Sequence, residues 1–353
     1  MTSLMDVIKN HGGPVAIANP TMYPFSGIDR VALSQAKRIK DAGIEVKIVT
    51  FENLFHEEDI PITEIKLYPQ RVWGLKPLIK ILAPMIPKAI SRFLDATKEC
   101  NVVIAHHYPM TAFAQILKKK REILYIYHNH GNTPPRYFPT VYEKLYQSAL
   151  LTFTKLTTSN ADYVFSVSKY LAEEFEKLTG KKSYVEYNEI EERFKRKYDG
   201  NLIRNKLGIG KKDPVLLYVG RIVPYKGVHE LIDAFKIVKN EFPNAWLIIV
   251  GKEYFEWYSK VLRNIAIEGV IFYGVASDEE IPYIFASSDV YVTASHWEGF
   301  NLPAAEAQVM GKPVVAYNIG SHPEVVKYGS LVEEGNVEEL AKEIIKWIKK
   351  VKG

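Results

Sequence analysis

The sequence has little cysteine and no long apolar run. Cys100 is the single cysteine among 353 residues, which excludes an intramolecular disulfide and any zinc site built on cysteines. No apolar stretch reaches the roughly 18 residues that read as a membrane-spanning helix. The amino-terminal segment MTSLMDVIKNHGGP lacks the apolar core of a secretion signal. We therefore expect a cytoplasmic protein without a membrane span.

A strong charge of one sign is also missing, because Lys and Arg exceed Asp and Glu by only five. This surplus is too small and too diffuse to predict a nucleic-acid partner, and no pattern of mixed aromatic and basic residues accompanies it. The surplus is uneven, since residues 1–188 carry a net charge of +6 and residues 189–353 carry −1. The basic character therefore belongs to the first half.

The composition is that of a globular protein, with 47% hydrophobic and 25% charged residues, and the length predicts about two domains. Short runs rich in Val, Ile and Tyr alternate with stretches of helical spacing, which is typical of parallel strands joined by crossover helices. The predicted strands span 14–19, 45–50, 64–69, 101–107, 123–129, 162–168 and 183–188, then 214–220, 245–251, 270–275, 289–295, 313–318 and 330–334. The predicted helices of the first half span 27–42, 109–120, 140–158 and 169–179.

This pattern predicts two doubly wound α/β domains. The first spans 1–188 and the second 214–353, and the densely charged residues 189–213, which show no apolar period, are predicted to form a linker. The last helix is expected to pack back on the first domain. The carboxyl ends of both strand sets would face an interdomain cleft, where ligands bind in such sheets.

A basic, glycine-containing loop follows the first strand of the second domain. It reads GRIVPYKG and places Gly220, Arg221, Lys226 and Gly227 just before a helix. Arginine donates bidentate hydrogen bonds to phosphate oxygens, lysine adds a point charge, and glycine lets backbone approach a ligand. The set suits a diphosphate, although a tight turn with two solvated basic residues also explains the spacing.

Two glutamates flank the start of another predicted helix. Glu298 lies in the loop after strand 289–295, and Glu306 lies on the helix that Pro303 opens. The backbone amides at this helix start would attract a phosphate group. They belong to Gly299, Phe300, Asn301 and Leu302. Taken alone, the two glutamates are also explained by a helix cap and a solvated face.

Together these segments resemble the donor domain of retaining nucleotide-sugar glycosyltransferases of family 4, whose fold is called GT-B. The resemblance rests on GRIVPYKG, on SHWEGFNLPAAEAQVMGKPVVA with an intact E-x7-E pattern, and on GSHPEVV, which contains Glu324. It covers nearly all of residues 184–350. It implies two Rossmann-like domains facing each other across a cleft, the first binding the acceptor and the second the donor, and a place in carbohydrate biosynthesis.

The resemblance also implies roles for individual residues. Arg221 and Lys226 would neutralise the donor diphosphate as it leaves. Glu306 would hold the ribose hydroxyls, and Glu298 would hold hydroxyls of the transferred sugar near its C3 and C4. Because leaving-group charge develops in the transition state, prepositioned cations would contribute to rate as well as binding. The expected donor is a UDP-, GDP- or ADP-sugar.

Two positions depart from the family pattern. Asn301 replaces the usual glycine after Glu-Gly-Phe, and we expect its side chain to extend toward the sugar and to affect sugar choice. The usual N-G-x-D before the linker reads NEIE at residues 188–191, which removes a glycine and exchanges Asp for Glu.

The first-domain strand 14–19 leads into a loop with Ser26 and Gly27, where the family has two adjacent glycines. The resemblance implies that Gly27 belongs to the loop that closes over the donor phosphate and the reacting sugar. Any strand-to-helix turn of this fold also tolerates a glycine. Ser168 is expected to cap the helix that follows it.

Histidines follow two neighbouring first-domain strands. His106 and His107 follow the apolar residues of strand 101–107, and His128 and His130 end the strand 123–129 and the turn after it. All four would face the expected cleft, although a histidine at a strand end is often only a satisfied polar residue. His128 resembles the family histidine beside the transferred sugar, which implies a hydrogen bond to a sugar hydroxyl or a role in orienting the acceptor.

No side chain of the sequence is an obvious covalent nucleophile, and no D-x-D motif is present to bridge a metal ion to a diphosphate. The resemblance implies front-face transfer in which the donor phosphate accepts the proton of the acceptor. We therefore expect no cofactor and no metal site.

The stretch 65–94 contains no acidic residue and six basic ones, namely Lys66, Arg71, Lys76, Lys80, Lys88 and Arg92. The interleaved apolar residues are Trp73, Leu78, Ile79, Ile81, Leu82, Met85 and Ile86. The prolines predict two short helices instead of one. They form either a surface for an anionic membrane, which would make the protein peripheral at its inner face, or a core-facing helix pair with a solvated basic edge.

The expected function is a retaining, metal-independent transfer of a hexose-type sugar to a hydroxyl acceptor on a glycan, a lipid-linked molecule or a small molecule. A nucleotide-sugar 2-epimerase shares the fold, but the intact E-x7-E pattern argues against it. A non-catalytic sugar-binding protein would have no reason for Arg221 and Lys226 beside a helix-end anion site.

Overall fold

The structure is a computed structural model that describes residues 2–24, 26–55, 58–66 and 76–353. The chain divides into two compact units. The first unit consists of residues 1–135 and 142–189, and the second of residues 136–141 and 190–353.

The first unit is built on a seven-stranded parallel sheet in the order β5-β3-β1-β6-β7-β8-β9. Its strands are β1 (Val15–Ala18), β3 (Val46–Thr50), β5 (Ile62–Glu64), β6 (Val102–Ala105), β7 (Leu124–Asn129), β8 (Tyr163–Ser166) and β9 (Tyr184–Val185), and a separate parallel pair joins β2 (Thr21–Met22) to β4 (Glu52–Asn53). The helices are α1 (Leu4–His11), α2 (Gly27–Asp41), α3 (Lys76–Leu82), α4 (Pro87–Ala96), α5 (Met110–Lys120), α6 (Val141–Thr158) and α7 (Lys169–Thr179).

Side chains that alternate along the strands make two apolar layers in this unit. Ile17 of β1 faces a layer that contains Leu4 of α1 and Ala32 of α2. Ala16 faces the other layer, which contains Phe93 of α4 and Phe113 of α5. The central strands are buried on both faces, as expected of a parallel sheet covered by helices.

The second unit repeats this plan with a six-stranded parallel sheet in the order β12-β11-β10-β13-β14-β15. Its strands are β10 (Val215–Val219), β11 (Trp246–Val250), β12 (Val270–Gly274), β13 (Val290–Thr293), β14 (Val314–Tyr317) and β15 (Gly329–Val332). Its helices are α8 (Asn201–Leu207), α9 (Val228–Glu241), α10 (Glu256–Ile265), α11 (Ile281–Ser287), α12 (Leu302–Val309), α13 (His322–Val325) and α14 (Val337–Lys352).

Strand order predicts where each sheet binds ligands. In the second unit β10 pairs with β11 on one side and with β13 on the other. The chain therefore leaves β10 and β13 in opposite directions, and the carboxyl ends of such a strand pair are where ligands bind in open α/β sheets. In the first unit the corresponding strands are β1 and β6.

Two segments of the predicted domain plan contribute to the core of the second unit. The predicted linker 189–213 contains α8 and a turn of 3-10 helix at Glu192–Lys195, and its Phe194, Ile203 and Ile209 enter the core of the second unit. The last helix, α14, packs against α9 of the same unit and buries Leu340 and Ile344 in its core.

The acid-free stretch 65–94 forms two short helices, α3 and α4, separated by a 3-10 turn at Ala83–Met85. Ala89 and Phe93 of α4 are core residues, as a core-facing helix pair requires, while Met85 is 77% exposed, as a membrane-facing surface requires. Arg71 and Trp73, which the sequence analysis assigned to this stretch, lie outside the described residues. Within the part of the chain that the structure describes, no helix is long and apolar enough to cross a membrane.

Candidate functional site

The loops after β10 and β13 are in contact in the second unit, and they approach each other closely at Gly227. Gly227 begins α9 with a φ of 64°. A Cβ atom at this position would lie 2.0 Å from the carbonyl oxygen of Ala294, in the loop after β13. Only glycine satisfies both the backbone angle and the approach. The basic loop predicted to bind a diphosphate therefore lies directly on the loop that carries Glu298.

Lys226 and Glu298 form an ion pair, with Nζ 2.7 Å from Oε2 and the two side chains 12% and 10% exposed. Burial opposes ionisation of Glu298, but the charge of Lys226 more than offsets it and lowers the pKa of this carboxyl below its usual value. Two residues predicted from separate motifs are thus brought into contact, and both are charged.

Arg221 lies on the exposed side of the same loop. One of its terminal nitrogens donates a hydrogen bond to the phenolic oxygen of Tyr225 at 2.6 Å. The ring of Tyr225 also lies 5.4 Å from Nζ of Lys226. Both predicted cations therefore contact the buried Tyr225, and these contacts restrict the positions of the Arg221 guanidinium and the Lys226 amine.

The helix after Glu298 is α12, and Asn301 is its N-cap. The Asn301 backbone has a φ of 69°, and its Oδ1 accepts a hydrogen bond from the amide of Ala304. Its Nδ2 donates to Nε2 of His322 at 2.8 Å, and Nδ1 of His322 donates to the carbonyl oxygen of Tyr317. Asparagine tolerates this left-handed conformation better than most residues.

This arrangement corrects the expectation that Asn301 extends its side chain toward a sugar. The side chain is buried, and both ends of its amide are bonded within the unit. His322 is the partner that the sequence did not single out. Burial lowers its pKa, which fits a neutral ring that accepts at Nε2. The predicted phosphate site at the amides of Gly299, Phe300, Asn301 and Leu302 stays a prediction.

Glu306 lies on α12, eight residues after Glu298, and is 1% exposed. The structure therefore places the first glutamate in a loop and the second on a helix, as predicted. Gly220, at the start of the basic loop, follows β10 directly. All predicted donor-binding residues except Gly27 consequently belong to the second unit.

The first unit carries three buried histidines whose ring nitrogens converge. Nδ1 of His106 lies 2.8 Å from Nε2 of His130, and Nδ1 of His128 lies 3.1 Å from the same atom. Nε2 of His106 contacts Oε1 of Gln35 at 3.0 Å. Because the Gln35 oxygen only accepts, His106 carries its proton on Nε2, and His130 donates from its own Nε2.

Burial lowers the pKa of His128 to about 3 and holds the pKa values of His106 and His130 well below their usual value. All three rings are therefore neutral near pH 7. Nδ1 of His128 faces the N–H group of His130, so the proton of His128 sits on Nε2. His128 can donate a hydrogen bond to a hydroxyl, but it cannot supply an imidazolium charge.

Among the described residues, His106, His128 and His130 also form the group whose donor atoms lie close enough to hold a metal ion, within 4.8 Å of one another. The contacts among their nitrogens and with Gln35 already account for these atoms. His107 lies beside them, its ring 5.7 Å from that of His130.

The loop after β1 is held by a residue that the sequence did not single out. Asp29, in the first turn of α2, accepts hydrogen bonds from the Asn19 side chain and from the Tyr23 amide, at 2.9 and 2.8 Å. Burial raises the pKa of Asp29 to about 7. Gly27 is the first residue of α2. Ser168 caps α7 as predicted, accepting from the amide of Leu171.

A cavity of about 420 Å³ lies elsewhere in the first unit. It is lined by Leu124 and Tyr163, the first residues of β7 and β8. It therefore lies at the amino ends of these strands, opposite the edge that carries the histidines.

Two family models match the chain, Glycosyltransferase Family 4 over residues 25–191 and Glycosyl transferases group 1 over residues 199–352. The chain belongs to the family 4 glycosyltransferases. This glycosyltransferase is 26% identical over 335 residues to the uncharacterized glycosyltransferase MJ1178 of Methanocaldococcus jannaschii, a match that covers 92% of this chain and 86% of the relative. It is 34% identical over 125 residues to O-antigen chain mannosyltransferase B of Escherichia coli, covering 34% of this chain and 32% of the relative.

Solved structures share the fold of this chain. Anabaena HepE, in complex with UDP and glucose, superposes with a TM-score of 0.80 at 23% identity, covering 97% of this chain and 92% of that one. Sucrose-phosphate synthase from Thermosynechococcus elongatus gives a TM-score of 0.77 at 17% identity, covering 96% and 95%. The fold of the glycosyltransferase is therefore GT-B, with two Rossmann-like domains, as the sequence predicted.

Proposed function

We propose that this glycosyltransferase moves a hexose-type sugar from a nucleoside diphosphate sugar to a hydroxyl acceptor, with retention of configuration and without a metal ion. The observation that carries the proposal is the contact of Lys226 with Glu298 at the start of the helix that bears Glu306. Lys226, which we propose binds a phosphate, contacts Glu298, which we propose binds hydroxyls, at the end of the sheet where ligands bind in such folds.

The complexes of Anabaena HepE with UDP-glucose and with UDP and glucose support a nucleotide-sugar donor. In our proposal Arg221 and Lys226 bind the diphosphate, Glu306 accepts hydrogen bonds from the ribose, and Glu298 accepts them from the transferred sugar. Because Lys226 contacts Glu298 at 2.7 Å, a diphosphate that binds Lys226 lies directly beside the sugar that binds Glu298.

The chemical step breaks the bond between the anomeric carbon and the diphosphate oxygen, and the electron pair leaves with the diphosphate. The acceptor oxygen forms the new bond on the same face, and its proton passes to the departing phosphate oxygen. Charge grows on the diphosphate during this step, so Arg221 and Lys226 stabilise the transition state more than the bound donor. The cations thereby perform the charge stabilisation that a metal ion performs in other enzymes.

For the first unit we propose that His128 donates a hydrogen bond from Nε2 to a substrate hydroxyl. The neutral state of its ring and the position of its proton support this role, as described above. Gly27, at the start of α2, is proposed to belong to the loop that approaches the donor. The acceptor itself is proposed only as a hydroxyl compound.

The proposal is tested by incubating the protein with UDP-, GDP- and ADP-sugars and a panel of octyl glycosides, with and without EDTA. We expect one nucleotide to be released only when an acceptor is added, and the new glycosidic bond to keep the anomeric configuration of the donor in nuclear magnetic resonance spectra. EDTA should leave the rate unchanged. An inverted product would contradict retention, strict dependence on Mg²⁺ or Mn²⁺ would contradict metal independence, and conversion of the donor without acceptor would indicate an epimerase.

A further inference from the structure

His296 lies in the loop after β13, two residues before Glu298, and both of its ring nitrogens face carboxylates. Nε2 lies 2.7 Å from Oε1 of Glu230, and Nδ1 lies 2.7 Å from Oε1 of Glu334. Ionised carboxylates only accept hydrogen bonds, so both nitrogens must carry protons to satisfy this geometry. The structure therefore describes an imidazolium between two carboxylates. We call Glu230, His296 and Glu334 the histidine bridge.

The histidine bridge joins three segments of the second unit. Glu230 lies in the first turn of α9, three residues after Gly227, which ends the basic loop. Glu334 follows β15. The backbone amide of His296 also donates to the carbonyl oxygen of Tyr225 at 2.8 Å, next to Lys226. Both the main chain and the side chain of His296 thus tie the glutamate loop to the basic loop.

The other polar groups around the bridge are consistent with a positively charged His296 between two negatively charged glutamates. The hydroxyl of Tyr317, from β14, donates to the second oxygen of Glu230, and its ring lies 5.8 Å from that of His296. On α9, Nε2 of His229 lies 3.5 Å from Glu230, while Nδ1 of His229 contacts the hydroxyl of Tyr258 from α10. Burial lowers the pKa of His229, so His296 is the cation of the group.

We propose that His296 is a positioning residue of the donor site, which holds the loop bearing Glu298 against the loop bearing Lys226 while its ring is protonated. The inference rests on the proposed function of those two loops. Deprotonation removes one hydrogen-bond donor and the positive charge, leaving Glu230 and Glu334 with a ring that can satisfy only one of them. The loops then lose a constraint near the Lys226–Glu298 pair, and donor affinity falls.

The direction of the pH effect follows from the protonated state. The hydrogen bond with Glu230, reinforced by Glu334 against partial burial, raises the pKa of His296 above its usual 6.5. A raised folded-state pKa means that the bridge contributes its full stability below about pH 6.5 and loses it as the pH rises through the raised value. Donor binding should therefore weaken on the alkaline side of neutrality.

The test titrates UDP, GDP and ADP into wild type, His296→Gln and Glu334→Gln between about pH 6 and about pH 9. His11→Gln, at an exposed histidine of α1 in the first unit, serves as the matched control. We expect the wild-type Kd for the bound nucleotide to rise about tenfold across this range, as is typical of coupling between sites. His296→Gln should bind about tenfold more weakly at low pH and lose most of the pH dependence, Glu334→Gln should fall between, and the control should match wild type.

Thermal unfolding without nucleotide separates this inference from the proposed function. If no nucleoside diphosphate binds wild type, the proposed function fails, but the bridge still predicts that raising the pH lowers the wild-type Tm more than the Tm of His296→Gln. Parallel Tm profiles, or wild-type affinity with unchanged pH dependence in His296→Gln, would overturn the inference. If His296→Gln does not fold, the same measurements are made with Glu334→Gln, because Glu334 is half-exposed and its replacement perturbs the core less.

Discussion

At the residue scale, the proposed chemistry of the second unit depends most on Lys226. Its ion pair with Glu298 is largely buried, and removal of one partner leaves the other charge without compensation. Each side chain of the pair therefore stabilises the charge of the other at the proposed donor site. An amine placed in this way can transfer its interaction from Glu298 to a phosphate when the donor binds.

We predict that Lys226→Ala lowers kcat by on the order of 100-fold or more, as expected when a charge-stabilising donor is removed. Steady-state kinetics with the nucleotide sugar that supports transfer in the panel of UDP-, GDP- and ADP-sugars measure this loss. Lys260→Ala, at a lysine of α10 that is 72% exposed and pairs with Glu256, is the matched control and should retain activity. Circular dichroism must show that the variant is folded, and turnover within threefold of wild type would reject the assignment of Lys226.

The sequence predicted the elements that carry the proposed donor-site residues better than it predicted where their side chains point. Glu298 and Glu306 occupy a loop and a helix as expected. Asn301 does not extend toward a sugar, because its φ of 69° and the capped amide of Ala304 draw its side chain into the unit. That direction depends on His322, a tertiary partner 21 residues further along the chain, and no local pattern contains it.

For the histidines of the first unit, too, the sequence predicted which residues are neighbours but not all of their side-chain contacts. The register between β6 and β7 pairs Ala105 with Tyr127, so parallel pairing alone predicts that the next residues, His106 and His128, are neighbours. The contact of His106 with Gln35 comes from α2. Helix rotation against a sheet is set by packing, and the sequence did not reveal it.

At the scale of elements, alternation of apolar runs and helical stretches predicted most of the strands and the long helices. The predicted strand 64–69 shares only Glu64 with β5, and its residues 67–69 lie outside the described residues. The match is close for helices 27–42 and 169–179, which are observed as Gly27–Asp41 and Lys169–Thr179. The structure of short charged segments was predicted less well. Residues 189–213 contribute single apolar side chains to the core, and isolated contributions of this kind show no period.

Two helices of the first unit present apolar side chains to solvent. Leu82 and Met85, at and after the end of α3, and Leu145 and Leu156, on α6, are each at least 41% exposed. Tyr108 connects the two elements, because its hydroxyl donates to the carbonyl oxygen of Ile81 and its ring stacks on Phe153 of α6. We call these four leucine and methionine positions the α3–α6 apolar surface.

The nearby basic side chains differ in their interactions within the unit. Lys80 pairs with Glu52, and Arg92 donates to the carbonyl oxygen of Lys66, while Lys88 is exposed at the start of α4. We propose that the α3–α6 apolar surface, with these cations, rests on an anionic membrane, where each cation near the surface contributes about 1 kcal/mol.

We predict that the protein sediments with phosphatidylglycerol vesicles and stays in the supernatant with phosphatidylcholine vesicles. Met85→Glu should weaken the sedimentation by roughly tenfold, because it removes the burial of one apolar side chain and adds a repelled charge. Leu202→Glu, at a leucine of α8 that is 57% exposed in the second unit, is the control. Equal recovery in the supernatant with both vesicles would remove the membrane proposal.

At the scale of the whole molecule, each unit carries one set of functional groups at the carboxyl ends of its strands. The second unit gathers cations and glutamates around the loops after β10 and β13. The first unit gathers neutral histidines after β6 and β7, and it holds the excess of positive charge. This division is the one that the proposed separation of donor and acceptor chemistry requires, and it was predictable because the strand order determines which loops meet.

The most direct test of the account measures whether a nucleoside diphosphate binds through Arg221 and Lys226. Thermal unfolding of wild type and of the Arg221→Ala/Lys226→Ala variant is followed with UDP, GDP and ADP. We predict that one nucleotide, at 100 times its Kd, stabilises wild type by about 2.7 kcal/mol and has little effect on the variant. Equal stabilisation of both proteins, or no stabilisation of wild type by any of the three, would contradict the account.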